Sequence, residues 1–237
     1  MLWFDAIGAS NLGIGGLSNQ LKRVRDGEFD PKSEGKIILE KPATAVLDGE
    51  RGIPLLVLGK GAEIAAEKAR DVGVGLVRVE NIGTVGSAAE VACGVAVGPF
   101  AAVIVGPDPS WTVAIPSLAG LPAVFDSALG KADSSLLKLI AEIAPWVSTF
   151  ATGEGWIIGV ISITSLESVS SFQERVARTI EGYGNGQPKG KRWLMPEELE
   201  AGRIAGREGG VPIPIGSWKP LVAWAERLGV TPPTPAE

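Results

Sequence analysis

The residues of this chain that can do chemistry are few, and none of them is a histidine. Histidine is the one side chain whose unperturbed pKa falls in the middle of the physiological range. Acid–base work therefore passes to carboxylates, lysines or the single tyrosine. Asp126 is the best-placed carboxylate, because it ends the apolar run Ala123-Val124-Phe125, where a strand delivers a side chain to a site. It can shuttle a proton there or bond the backbone of its own turn, and the sequence leaves both open. Lys131 and Lys138 follow it, either as a cation for an acidic ligand or as solvated side chains. Gly83-Thr84-Val85-Gly86-Ser87 is a glycine turn between a strand-like and a helix-like run. Such a turn offers backbone N–H groups to an anion, or simply makes a tight connection. Gly13-Ile14-Gly15-Gly16 is as glycine-dense but follows no strand, so it reads as a late-starting helix, not a dinucleotide fingerprint. Tyr183 stands in a glycine-rich stretch that reads as loop, and no metal site is expected.

Asn11 to Arg25 has leucines at helical spacing, with Lys22, Arg23 and Arg25 near the end, where cations suit a helix C-terminus. Short strands are expected at Lys36 to Glu40 and Ala43 to Leu47, with Asp48-Gly49 turning after them. The spacing predicts a helix over Lys60 to Val72, stopped by Gly73, and a strand from Val74 to Glu80. A helix from Ser87 to Val97 follows the glycine turn, then strands at Ala101 to Val105, Thr112 to Ile115 and Ala123 to Phe125. Ser134 to Ile143 reads as an apolar helix behind Asp133. Trp156 to Ile163 is almost unbroken in its apolarity, which predicts a central strand buried on both faces. Helices are expected at Ser168 to Glu181, after Pro196, and from Trp218 to Leu228. Strands mixed with helices, without strict alternation, define a layered α/β domain around a mixed β-sheet flanked by helices. The expected organisation is one unit over 1–237, with an N-terminal helical segment at 1–35, a mixed-sheet region at 36–182 and a C-terminal helical segment at 183–237.

Composition narrows the function classes. A net charge of −5 with no basic run carrying interleaved aromatics argues against a nucleic-acid partner. Lys189-Gly190-Lys191-Arg192 sits in a glycine- and proline-rich stretch and reads as a solvated loop. No run reaches ~18 apolar residues, so no membrane span is expected. Cys93 is alone, which rules out an intrachain disulfide and fits a reducing cytoplasm.

Four stretches, taken in order, resemble the type-2 malate/L-lactate dehydrogenase family. Ala9-Ser10-Asn11-Leu12-Gly13 through Asp26-Gly27 is similar to its "D-x-x-G-x-x-S-H-G" helix, and Asp48-Gly49-Glu50-Arg51-Gly52 to Ala69 to its "D-G-D-x-G-x-G" turn and helix. Gly73-Val74-Gly75-Leu76 to Gly86-Ser87 resembles "G-V-G-x-V-x-V-x-x-S-N-H-F-G", and Pro196 to Val230 its C-terminal segment. The resemblance implies an NAD(P)-dependent oxidoreductase scaffold and a homodimer. It also marks the departures. Leu12, beside Asn11, stands where the family has its substrate-binding histidine, Gly16 where it has an arginine for the substrate carboxylate, and Thr84 where it has the catalytic histidine. The family aspartate survives as Asp126, while the stretch from Asp126 to Lys138 compresses a long segment that helps hold the nucleotide.

A threonine hydroxyl is too weakly acidic to replace an imidazolium, and losing a proton donor costs about 10²–10⁴ in rate. The first expectation is therefore a non-redox enzyme of isomerase, cyclase or lyase type that binds a small molecule without a cofactor. Asp126 and Thr84 would be its catalytic pair, with Asn11, Leu12, Gly16 and Lys131 around the substrate. One alternative is an NAD(P)H-dependent oxidoreductase acting on a 2-oxo or 2-hydroxy acid or a cyclic imine. A carboxylate or lysine would then give the proton, and NAD or NADP would lie at Gly83, Gly86 and Ser87. The other alternative is a non-catalytic interaction or assembly subunit.

Overall fold

The computed structural model describes residues 2–6, 12–107, 110–118, 120–126, 155–184, 200–202, 204, 206 and 208–235. In chain order the elements begin with α1 (Leu2–Ala6), a 3-10 turn (Ile14–Gly16), α2 (Leu17–Arg25), β1 (Lys36–Glu40) and β2 (Thr44–Asp48). There follow α3 (Pro54–Val72), β3 (Val74–Glu80), α4 (Ala89–Ala96), β4 (Phe100–Val105), β5 (Trp111–Ile115) and β6 (Ala123–Asp126). The last are β7 (Trp156–Ser162), α5 (Val169–Gly184) and α6 (Ile215–Leu228). They fall into two units, one spanning Pro31–Pro196 and one joining Met1–Asp30 to Glu197–Glu237.

The larger unit is a seven-stranded mixed sheet in the order β1-β2-β3-β7-β4-β5-β6. This is the expected layered α/β architecture. β2 and β3 are parallel, joined by α3, and every other neighbouring pair is antiparallel. α3 begins six residues earlier than its periodicity predicts. Pro54 at the first helical position follows an extended Ile53 and presets the entry. At the far end Gly73 takes φ 89°, and its N–H returns to the carbonyl of Ala69 at 2.9 Å.

Two glycines set how closely α3 lies on the sheet. A Cβ on Gly75 of β3 would stand 1.9 Å from the backbone oxygen of Ala65, so strand and helix backbones touch with nothing between them. A Cβ on Gly61 would stand 2.7 Å from Val79 and 2.9 Å from Ile158. Leu47, Val57, Leu58, Val77, Val79, Ile158 and Val160 fill the core around this contact, all below 2 % exposed. β7 is central, as expected, but Ile161 near its end is 44 % exposed. With Val74, Leu76 and Val103 it leaves part of the face away from α3 apolar and open.

In the smaller unit the glycine-dense stretch is a late helix start, as read. Ile14 N–H donates to Asp5 Oδ2 at 2.7 Å, and Asp5 is 2 % exposed. A Cβ on Gly13 would collide with that carboxyl group, and one on Gly15 would stand 2.7 Å from the Ser217 hydroxyl. Arg25 and Arg227 both stack on Trp224. α5 corrects one expectation: it continues through Tyr183 to Gly184, so Tyr183 is helical, not loop. The spacing Phe172, Val176, Ile180, Tyr183 carries the helical period that far despite the glycines. α6 begins at Ile215, three residues before the expected Trp218, behind an extended Pro214. The helices expected at Ser134 to Ile143 and immediately after Pro196 lie outside the described residues.

Gly75→Ala is expected to lower the unfolding free energy by about 3 kcal/mol, because backbone atoms cannot step aside for the methyl group. Urea unfolding followed by tryptophan fluorescence checks this; an unchanged midpoint would show that the helix and strand are not in backbone contact.

Candidate functional site

Strand direction decides where the candidate residues meet. The pairings put the carboxyl ends of β2, β3, β4 and β6 and the amino ends of β5 and β7 along one end of the sheet. Open α/β sheets bind ligands at the carboxyl ends of their strands. Gly83, Thr84, Gly86 and Ser87 lie on the loop leaving β3 there, and Asp126 ends β6 at the same end. Leu12, half-buried, and Gly16, exposed, belong to the other unit, and Asn11 and Lys131 lie outside the described residues.

The two loops leaving β2 and β3 interlock. Gly49 N–H donates to the Glu80 carbonyl at 2.7 Å, and a Cβ at Gly49 would stand 2.1 Å from Ile82. Glu50, Arg51 and Asn81 all adopt positive φ, at 46°, 62° and 56°, and are the non-glycine residues that do so among those described. Each such residue costs of order 1 kcal/mol, and such costs concentrate where a loop must hold a particular shape. Beyond Asn81 the backbone N–H groups from Gly83 through Ala88 donate to no acceptor among the described residues. Thr84 and Gly86 are exposed, whereas Ser87 and Ala88 are buried. The loop runs into α4, whose Ala88 N-cap makes no side-chain bond.

Ser87 and Asp126 do come together. The Ser87 hydroxyl donates to Asp126 Oδ2 at 2.9 Å and accepts the Ala89 N–H at 3.1 Å. Thr112, which sequence reasoning passed over, donates its hydroxyl to the same Asp126 oxygen. It stands opposite Asp126 in the antiparallel β5–β6 register. Ser87, Thr112 and Asp126 are 8 %, 2 % and 7 % exposed, so the group is internal. Lys68, read as one position of a helical repeat, is also buried. Its ammonium donates to Glu40 Oε1 at 2.9 Å and the Lys41 carbonyl at 2.8 Å, beside a groove of about 420 Å³. That pair ties the β1–β2 turn to α3. Among the described residues no three His, Cys, Asp or Glu side chains converge as metal ligands.

A mixed sheet with a parallel β2–α3–β3 unit, and loops gathered at its carboxyl ends, defines a layered α/β protein. Residues 1–97 match the family model for malate/L-lactate dehydrogenase. L-Sulfolactate dehydrogenase of Methanocaldococcus jannaschii is 40 % identical over 77 residues, 32 % of this chain and 22 % of that protein. The matched stretch thus spans about a fifth of the curated relative. In fold, malate dehydrogenase of Pyrococcus horikoshii superposes with a TM-score of 0.80 at 17 % identity, covering 97 % of this chain and 86 % of that one. Delta1-piperideine-2-carboxylate reductase of Pseudomonas syringae pvar. tomato follows at 0.70 and 14 %, covering 92 % and 88 %. Residues 1–97 thus carry a likeness to the malate/L-lactate dehydrogenase family, and the fold is shared with solved malate dehydrogenases.

These likenesses correct the first functional expectation. The relatives and fold neighbours carry the names of dehydrogenases and a reductase, so a non-redox isomerase, cyclase or lyase loses its ground. The expectation of no cofactor falls with it, because hydride chemistry needs an electron carrier.

Cys93 on α4 is not a nucleophile. Burial, and then the nearby Glu90 carboxylate, push its thiol up to about 11. At pH 8 the thiolate is scarce, which its greater intrinsic nucleophilicity only partly offsets. Iodoacetamide should label Cys93 roughly twenty-fold more slowly than an unperturbed thiol. Labelling at the free-thiol rate, read by mass spectrometry, would contradict the burial.

Proposed function

We propose that this chain is an NAD(P)-dependent oxidoreductase acting on a small 2-oxo or 2-hydroxy acid or a cyclic imine carboxylate. One observation carries the reading: the family match, residues 1–97, runs through the loop whose six successive amides, 83–88, have no acceptor among the described residues. A run of open N–H groups leading into a helix is a donor set suited to phosphate. It fits a nicotinamide dinucleotide better than a neutral ligand. Gly83, Gly86 and Ser87 would hold the phosphates, and the missing side chains at the two glycines let the anion reach the backbone. When bound, the cofactor supplies the hydride.

The chain's own residues supply the rest. Thr84, exposed on the loop, is placed to hydrogen-bond a ligand, and Asn11, Leu12, Gly16 and Lys131 remain the proposed substrate contacts. Without histidine or an arginine at position 16, the substrate carboxylate depends on another cation of the chain, and the transferred proton on a carboxylate or lysine. A homodimer in a reducing cytoplasm accompanies this reading, and light scattering of the purified protein tests the dimer. Among the described residues no helix is long and apolar enough to cross a membrane.

Titration with NADH and NADPH, read by energy transfer from tryptophan, is expected to give a Kd tighter than ~100 μM, about −5.5 kcal/mol. Gly86→Asp should weaken it at least about ten-fold by setting a carboxylate against the phosphates. No binding at millimolar cofactor would overturn the oxidoreductase reading. Binding untouched by Gly86→Asp would move the phosphates away from this loop.

A further inference from the structure

We infer that Asp126 is a positioning residue, locked by Thr112 and Ser87, that holds the β3–α4 loop and the start of α4 in place. The lock itself stands on geometry; only what the loop binds rests on the function proposed above.

Three bonds build it. Thr112 reaches Asp126 across the antiparallel ladder, where the register makes the two residues direct neighbours. Ser87 reaches the same oxygen from a loop 39 residues earlier in the chain, at 2.9 Å. The Ser87 oxygen in turn accepts Ala89 N–H, the first amide of α4. Displacing either bond at Oδ2 would leave a buried polar group unsatisfied, at a cost of about 1–3 kcal/mol. The bonds suit anchoring well. They join β5, β6 and the start of α4 through one acceptor, in surroundings where hydrogen bonds are strong. The amides 83–86 lie between this anchor and the interlocked turn at Gly49 and Ile82. Both ends of the loop are therefore held while its middle donates to no acceptor among the described residues. Thr112 is 2 % exposed, so any influence it has on a ligand at the loop must pass through Asp126.

The test compares Thr112→Val, which keeps the shape and removes the hydroxyl, with Thr112→Ser, which restores the hydroxyl, and with Asp126→Asn and Ser87→Ala. Hydrogen–deuterium exchange is read along the whole chain, and NADH affinity beside it. Thr112→Val should speed exchange of the bonded amides at the start of α4, Ala89 and Ala92, about ten-fold, with β4 and β7 unchanged, and Thr112→Ser should bring it back. NADH affinity should fall and recover in parallel. Should Thr112→Val not fold, Ser87→Ala reads the lock from the loop side, with the same ten-fold acceleration expected at Ala92. Exchange at Ala92 that stays at the wild-type rate in both hydroxyl deletions overturns the inference. So does faster exchange spread evenly over the sheet, which would be loss of packing. Asp126→Asn with a wild-type loop, but with turnover lost and its pH profile changed, overturns it in favour of a proton donor. If the wild type binds no NADH, the proposed function fails while the exchange comparison still decides the lock.

Discussion

The helix α3 rests on β3 backbone against backbone, and the positions of the other elements of the sheet unit follow from that contact. Gly75 leaves no side chain on the strand, Gly61 leaves none on the helix, and the two chains approach until Ala65 and Gly75 touch. A helix this close brings Val57, Leu58 and Ala65 into complete burial against Val77, Val79 and Ile158. It also closes the parallel β2–β3 pair, because a parallel connection needs a crossover packed on the sheet. With β2 and β3 parallel and in register, the loops leaving them come out side by side. The interlock of Gly49 with Glu80 and Ile82 is therefore a consequence of packing some way down the sheet.

The polar arrangement at the carboxyl ends follows a different rule. Interior hydroxyls and carboxylates must bond one another, and here Thr112, Asp126 and Ser87 do so through a single oxygen. That satisfies the strand end and the helix start, and it leaves the amides of the loop before them without partners among the described residues.

How much of this was legible depended on range. β3 was readable to both ends, because Gly73 and Asn81 bracket a valine alternation. The open glycine turn and the late helix start at Gly13 to Gly16 were readable because local glycine density is their cause. Asp126 was readable as a polar residue closing an apolar strand. Its partners were not: Thr112 looks like any β-branched residue in a strand, and Ser87 like the first residue of a helix. Only the fold brings the two together. Asp5 beneath Gly13 escaped for the same reason, and so did the early start of α3, where Gly61 marks a close approach and not a break. The chemistry was misread toward a non-redox reaction because missing histidines were given more weight than the scaffold that lacks them.

The place of β7 has a consequence for how the chain becomes a protein. It is the centre of the sheet, yet it is synthesised after the other six strands, and it enters between β3 and β4. Until it arrives, β3 and β4 have no strand between them, and the two halves of the sheet are separate hairpin-like pieces. Closing the gap means bringing back a segment from about fifty residues beyond β4, an entropic cost that grows only slowly with the length of the loop but precedes every contact that repays it. The residues that carry the family likeness, 1–97, thus lack the strand that joins their sheet to the rest. β7 can pair only once residues 156–162 have been made, and until then the edges of β3 and β4 that it joins are unpaired.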